Sequence, residues 1–226
     1  MKVLALIPAR GGSKSIPKKN IKKFNGKPLI YWTIKSCQTN KFISDIYVSS
    51  DSDEILKIAS KYKANVIKRP KSISGDNASS ESAVIHALKK LKIQYDYVVL
   101  AEPTNPLKKD CEIDKAILYM KKEKLDSLFS ATHLIDFMFW KKEKKFLKSF
   151  NYNYKNRGMR QNRSDNFYLE NGNFYIFKSN IILKNKNRLG GKIGVYLNPI
   201  TQYAEIDDIS QWRYTELLHK TLLKQK

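Results

Sequence analysis

Val3-Leu4-Ala5-Leu6-Ile7-Pro8 leads directly into Ala9-Arg10-Gly11-Gly12-Ser13-Lys14-Ser15-Ile16-Pro17-Lys18-Lys19-Asn20. The first stretch is a short apolar run closed by a turn, the pattern of a buried strand. The second is polar and basic. A helix opens after it at Pro28-Leu29-Ile30-Tyr31-Trp32-Thr33-Ile34, with proline near its first turn. The alternation then repeats. Asp45 to Ser50, Asn65-Val66-Ile67, Tyr97-Val98-Val99-Leu100 and Ser127 to Ala131 read as strands. Between them, Ser52 to Tyr62, Ser79 to Leu91 and Cys111 to Lys122 read as helices. The first of these starts on a Ser or Asp cap, and the second carries Ala83, Val84, Ala87, Leu88 and Leu91 on one stripe. Such a sequence predicts an α/β fold with a mostly parallel central sheet flanked by helices.

Ligands of these sheets bind beyond the carboxyl ends of the strands, where the loops converge. The loop from Arg10 to Asn20, the Asp51 end and the turn Glu102-Pro103-Thr104-Asn105-Pro106 all follow strands, so one crevice is expected to hold them. From Thr132 to Asn166 the rhythm breaks. Phe137, Phe139, Trp140, Phe146 and Phe150 crowd a basic stretch that reads as an antiparallel excursion or a disordered loop. Aromatics this dense point to burial against another surface, for which a second subunit is the economical candidate. The core resumes at Phe174-Tyr175-Ile176-Phe177, and a last helix runs from about Ile209 to Leu223.

The 226 residues are 42% hydrophobic and 12% aromatic, enough for a sizeable core and against wholesale disorder. No apolar run approaches the roughly 20 residues that span a bilayer, so no membrane association is expected. The opening MKVLALIPAR is too short for a secretory leader, and Cys37 and Cys111 form neither a disulfide framework nor a zinc pattern. A cytoplasmic location is the expectation. Lysine and arginine give a net charge of +22, which permits a polyanionic partner. The lysines are nevertheless spread along the chain (Lys18, Lys57, Lys108, Lys144, Lys184, Lys224), as on a solvated surface. No RNP-like strand, zinc-finger spacing or basic groove-entering helix is present, so specific nucleic-acid binding is the weaker reading. His86, His133 and His219 are scattered and suggest no triad.

The loop after the first strand is the chemically informative segment. Gly11 and Gly12 let the main chain approach a ligand and turn N–H groups toward an anion, while Arg10, Lys14 and Lys19 add charge and Ser13 a hydroxyl. This assembly suits a triphosphate. It has neither the Walker A spacing nor the dinucleotide-binding glycine pattern.

IPARGGSK…KKN, followed by NGKPLIYWTI, resembles the signature of the acylneuraminate cytidylyltransferase family, the CMP-sialic acid synthetases and their nonulosonate relatives. The resemblance continues through SSDSDEI, KRP, GDNASSESAVIHAL, EPTNPL, ENGNFYIF and EIDD, which covers nearly the whole chain. It implies a single nucleotidyltransferase domain over residues 1–226, of the nucleotide-diphospho-sugar transferase-like, Rossmann-like type. It also implies a homodimer with its dimerisation segment inserted at about 132–166, and the use of CTP with Mg2+. The implied reaction joins a nonulosonic acid to CMP with release of pyrophosphate. By the resemblance, Arg10, Lys19 and Asp207 serve catalysis. Arg10, Gly11, Gly12, Ser13, Lys14, Lys19, Asn20, Arg69 and Ser80 bind CTP.

Arg69 can equally be read as a solvated strand-exit residue and Ser80 as a helix cap, and both alternatives stay open at this point. Glu205 and Asp207, two apart on an extended segment, point the same way and are expected to share the cation. A capped start of the last helix, by Asp207 or Asp208, is the plain alternative. For the acceptor, the resemblance points to Glu102, Arg160, Asn171 and Tyr175. Arg157 and Arg163 compete with Arg160 for the sugar carboxylate, and Asn171-Gly172 is expected to form a tight turn into the strand. The family commonly has Gln where Glu102 stands. An ionised Glu only accepts hydrogen bonds, which favours a modified acceptor of legionaminic or pseudaminic type over N-acetylneuraminate. The nearest rival is a CMP-Kdo synthetase, whose usual opening block is interrupted here by Gly-Gly-Ser-Lys and Lys-Lys-Asn.

Overall fold

A computed structural model describes residues 1–134, 137–159 and 167–224. Strand β1 (Val3–Pro8) lies at the heart of a seven-stranded sheet. Its successive side chains alternate between two apolar layers, as the two-residue period of a strand demands. Val3, Ala5 and Ile7 pack with Ile30 and Ile34 of α1 (Leu29–Gln38), Ile55 and Ala59 of α2 (Asp53–Lys61), and Ile113, Ile117 and Met120 of α4 (Glu112–Lys122). Leu4 and Leu6 face the other layer, with Val84 and Ala87 of α3 (Ser80–Leu91) and Ile182 of α5 (Ser179–Asn185).

A β2–β3 hairpin (Lys23–Phe24, Lys27–Pro28) precedes α1. Strands β4 (Asp45–Ser50) and β5 (Asn65–Lys68) extend the sheet on one side of β1, and β6 (Tyr97–Leu100) on the other, all parallel. Strand β10 (Phe167–Lys178) then runs antiparallel between β6 and β7 (Ser127–Leu134). Strand β11 (Ile193–Asn198) closes that edge parallel to β7, and α6 (Ile209–Lys224) ends the description. The sheet is therefore mostly parallel with one reversed strand, as expected. The small β2–β3 hairpin, α5 and β11 were not foreseen.

One local reading needs correction. Asn171-Gly172 makes no turn into a strand. It sits inside β10, where the register with β7 shifts between Glu170 and Tyr175. Gly172 adopts φ +62, so the insertion is a bulge that suits glycine. The excursion after β7 contains an antiparallel hairpin of β8 (Trp140–Glu143) and β9 (Phe146–Ser149). Phe146 and Phe150 on it are 79% and 67% exposed in the single chain.

Candidate active site

At the carboxyl ends of the parallel strands lies a cleft of about 260 Å³, lined by Pro8, Arg10, Lys19, Asn20, Arg69, Ser80 and Glu102 among others. It falls just below the usual ligand clefts, about 300–1,000 Å³, so a large ligand must extend over its open rim. Six of the residues singled out in the sequence thus share one wall.

A small apolar core and a buried asparagine make them meet. Ile16 anchors the long basic loop into a cluster with Phe24, Leu29, Ile206 and Trp212, so the loop rests on the segment before α6. That segment is also held to the turn after β6, where the Ile206 N–H donates to the Thr104 carbonyl at 3.1 Å. Fully buried Asn105 completes the tie. Its amide donates to the carbonyls of Asn171 and Gln202, at 2.7 and 3.0 Å, while its oxygen accepts from the Leu107 N–H. The turn after β6, the bulge of β10 and the segment after β11 are thus tied together by one side chain.

On the basic side, the Lys19 ammonium donates to the Ile206 carbonyl at 2.7 Å and to Asp207 Oδ1 at 3.1 Å. Asn20 is buried and donates to the Arg10 carbonyl at 3.0 Å, fixing the loop from within. Arg10 donates to Asp76 Oδ1 at 2.8 Å, and Lys14 pairs with the same carboxylate. The two cations hold the Asp76 carboxyl below its usual range, Lys14 contributing most. Arg69 is 5% exposed and its Nε has no acceptor among the described residues. Burial pulls its pKa down and Arg10 adds to this, while Asp51 opposes it. A buried guanidinium donor left without an acceptor is costly unless a ligand accepts it.

The glycine pair departs from expectation. The Gly11 N–H donates to Asp51 Oδ1 at 2.9 Å and the Ser13 N–H to the Gly11 carbonyl at 3.2 Å, so of the Gly11 and Gly12 pair read as an anion nest the first N–H is already taken by the protein. Glycine at position 11 instead answers a close approach: a Cβ there would lie 3.0 Å from Ser52 Cβ. Only the Gly12 N–H of this trio lacks a protein acceptor among the described residues.

Two capping alternatives are resolved by neighbours. Ser79 caps α3, its Oγ accepting from the Ser82 N–H, which leaves Ser80 Oγ to donate to Glu102 Oε1 at 2.9 Å. Asp208 caps α6 through Gln211, each side chain accepting the other's N–H. Asp207 is thereby left to Lys19. Glu205 and Asp207 are both exposed, on either side of buried Ile206. The Glu205 carboxyl is pushed up by burial, then by the charges of Asp207 and Glu102, with Lys19 opposing.

No group of three His, Cys, Asp or Glu side chains poised to hold a metal occurs among the described residues. The oxygen pair Glu205–Asp207 still fits the way Mg2+ is commonly held, by one or two carboxylates with substrate phosphates completing its octahedron.

The acceptor-side expectations fare unevenly. Asn171 is 1% exposed, and its side chain is engaged with Ser130, Thr132 and Asn198 inside the protein. Tyr175 is buried, its hydroxyl donating to Glu170 Oε2. Neither lines the cleft. Arg160, with Gln161 and Arg163, lies outside the described residues. Two residues of the cleft region were missed by sequence reasoning, Asp76 and Arg188. Arg188 Nε donates to Glu81 Oε1 at 2.6 Å and Nη1 approaches Glu102 Oε1 at 3.5 Å, while the guanidinium lies 4.6 Å over the Tyr175 ring. Its position just before β11, an element not foreseen, hid it.

A mostly parallel sheet, a basic strand-end loop at its cleft and a carboxylate pair beside Lys19 of that loop are the features of a nucleotidyltransferase. A family model described as cytidylyltransferase matches residues 4–222, and the chain belongs to that family. A pseudaminic acid cytidylyltransferase of Campylobacter jejuni is 34% identical over 97% of both chains. An N-acylneuraminate cytidylyltransferase A of Danio rerio is 33% identical over 95% of this chain and 50% of its own length. Among solved structures, a CMP:2-keto-3-deoxy-manno-octonic acid synthetase complexed with CTP superposes with a TM-score of 0.74. That match covers 98% of this chain and 100% of the other at 13% identity, a likeness of fold. No helix among the described residues is long and apolar enough to cross a membrane.

Proposed function

We propose that this cytidylyltransferase joins CTP to a nonulosonic acid, giving the CMP-sugar and pyrophosphate. The observation that carries the reading is the Lys19 ammonium. Rooted in the loop after the first strand, it bonds the Ile206 carbonyl and Asp207 near the other end of the chain. That contact supports a site in which triphosphate-binding cations would lie beside metal-binding carboxylates. Arg10, Lys14, Lys19 and Arg69 would hold the phosphates, the first two exchanging Asp76 for substrate oxygens. Asn20 holds the loop, and Ser80 stands near the ribose. The Gly12 N–H adds a donor, and Gly11 and Ser13 shape the loop.

Glu205 and Asp207 would hold Mg2+, which neutralises charge on the phosphates when bound. The acceptor's anomeric 2-hydroxyl oxygen forms the new bond to the α-phosphorus as the bond to pyrophosphate breaks, and the hydroxyl proton is lost to solvent. Such a transfer calls for alignment and charge neutralisation by the protein rather than a covalent intermediate. Glu102 supports an acceptor of pseudaminic or legionaminic type over N-acetylneuraminate, because a carboxylate only accepts hydrogen bonds. The relatives named for pseudaminic acid and for N-acylneuraminate frame that choice. The exposed aromatics of the β8–β9 hairpin support a homodimer formed there.

Pyrophosphate release with CTP, Mg2+ and a panel of nonulosonic acids tests the proposal. Turnover with at least one of them, dependent on CTP, is expected. Absence of turnover with the whole panel, or turnover only with an eight-carbon keto acid, would overturn it. A higher rate on N-acetylneuraminate than on the modified sugars would reject the acceptor preference alone.

A further inference from the structure

Arg188 touches a set of groups that no nucleotide-binding role requires. Its Nε–H is committed to Glu81 on the first turn of α3, and its Nη1 reaches the Glu102 oxygen that also accepts from Ser80. Its flat face covers the Tyr175 ring. The side chain retains 19% exposure, and its Nη2 has no partner among the described residues. The loop beneath it is pinned, since Gly190 exchanges hydrogen bonds with the Ser127 hydroxyl at 2.8 and 3.0 Å. The Leu189 N–H is held by Asn187 Oδ1 at 2.9 Å. Arg188 is thus a partly open guanidinium on a fixed support, close to the Glu102 carboxylate that lines the cleft.

Arg10, Lys19 and Arg69 line the cleft, whereas Glu81 and Glu102 flank Arg188 and the Lys108 ammonium rests on the Glu102 carbonyl at 2.8 Å. A substrate carboxylate is disfavoured beside the Glu102 carboxylate, and N–H or O–H donors are favoured there. We infer that Arg188 is a specificity-determining positioning residue: bridging Glu81 and Glu102 over Tyr175, it fixes Glu102 as an acceptor-only wall for the donor-bearing substituents of the acceptor sugar. The inference rests on the acceptor reading above and deepens it. The forked guanidinium is essential, since a lysine ammonium cannot hold both carboxylates in one plane.

The test uses the full-length enzyme with CTP, Mg2+, pseudaminic acid and N-acetylneuraminate, and compares the wild type with Arg188→Met, Arg188→Lys and Glu102→Gln. Arg188→Met is expected to raise KM for the preferred acceptor about tenfold or more, the scale of removing a charge-assisted hydrogen bond, with KM for CTP within about twofold. Arg188→Lys should restore thermal stability without restoring acceptor KM. In the Arg188→Met, Glu102→Gln double variant the two effects should be less than multiplicative, because both act through one carboxylate. The ratio of kcat/KM between the two acceptors should shift toward unity in each folded variant. A well-folded Arg188→Met or Arg188→Lys enzyme with unchanged acceptor KM and unchanged ratio would overturn the inference, as would equal losses for CTP and acceptor. If the wild type turned over neither acceptor, the acceptor reading itself would fail, and the inference with it.

Discussion

Asp207 faces Lys19 because Asp208, its neighbour, takes the capping duty on α6. Asp207→Asn should therefore leave the fold intact and reduce Mg2+-dependent turnover by about 10²-fold or more, as loss of preorganised electrostatic stabilisation does. Near-normal turnover at saturating Mg2+ would rule out the metal role. Glu205 yields a pH prediction with a definite sign. Its carboxyl is raised above the ordinary range, so it takes up a proton at higher pH than a free glutamate as acidity increases. A metal bound there is lost as pH falls through that raised value. At limiting Mg2+ the acid limb of kcat/KM should lie above the usual carboxylate range and move down as Mg2+ is raised; Glu205→Gln should lose that limb. The two serines before α3 teach the same lesson as the aspartates. Spacing cannot say which of two adjacent residues caps a helix, but the resolved N–H contacts can.

At the scale of elements, the site depends on packing between segments far apart in the chain. Ile206 is fully buried with Ile16, Phe24, Leu29 and Trp212. Ile206→Ala should cost about 2–5 kcal/mol in a denaturant melt, in the range for buried aliphatic truncation. It should also raise KM for CTP, since the basic loop rests on that core. Asn105→Ala would leave the Asn171 and Gln202 carbonyls and the Leu107 N–H without their partner in the interior. A loss of roughly 2–4 kcal/mol is expected. Unchanged stability in both variants would show the loops to be held by other means.

The main elements were legible because buried strands and amphipathic helices carry their own periods. β11 was not, since Ile193 and Leu197 are about half exposed at an edge and give no clean alternation. Short α5 buries only Ile182 and leaves too little stripe to read. The β2–β3 hairpin did carry a signal, the Asn25-Gly26 dipeptide favoured in two-residue turns.

Across the whole molecule, the +22 charge and the aromatic hairpin make separate predictions. A dispersed cationic surface should hold DNA loosely at low salt and release it near physiological ionic strength, because added salt removes the counterion-release gain on which such binding depends. Retention at physiological salt would instead indicate a specific nucleic-acid surface. The hairpin aromatics Phe146 and Phe150 should lie in a dimer interface. Sedimentation is expected to show a dimer for the native chain and a monomer for the Phe146→Ser, Phe150→Ser double variant. A native monomer, or a double variant that remains dimeric, would refute that interface.

Periodicity within the chain was enough to determine the alternating layers, the strand ends where ligands gather and the basic loop that follows β1, because each depends on residues within a few positions of one another. The family likeness lay in the same local blocks. Only the tertiary structure decided that Gly11 is needed for close approach to Ser52, that Asn171 serves a buried network, and that Arg188 reaches Glu102. Those outcomes depend on which distant groups compete for each donor and acceptor, and a linear pattern carries no record of that competition.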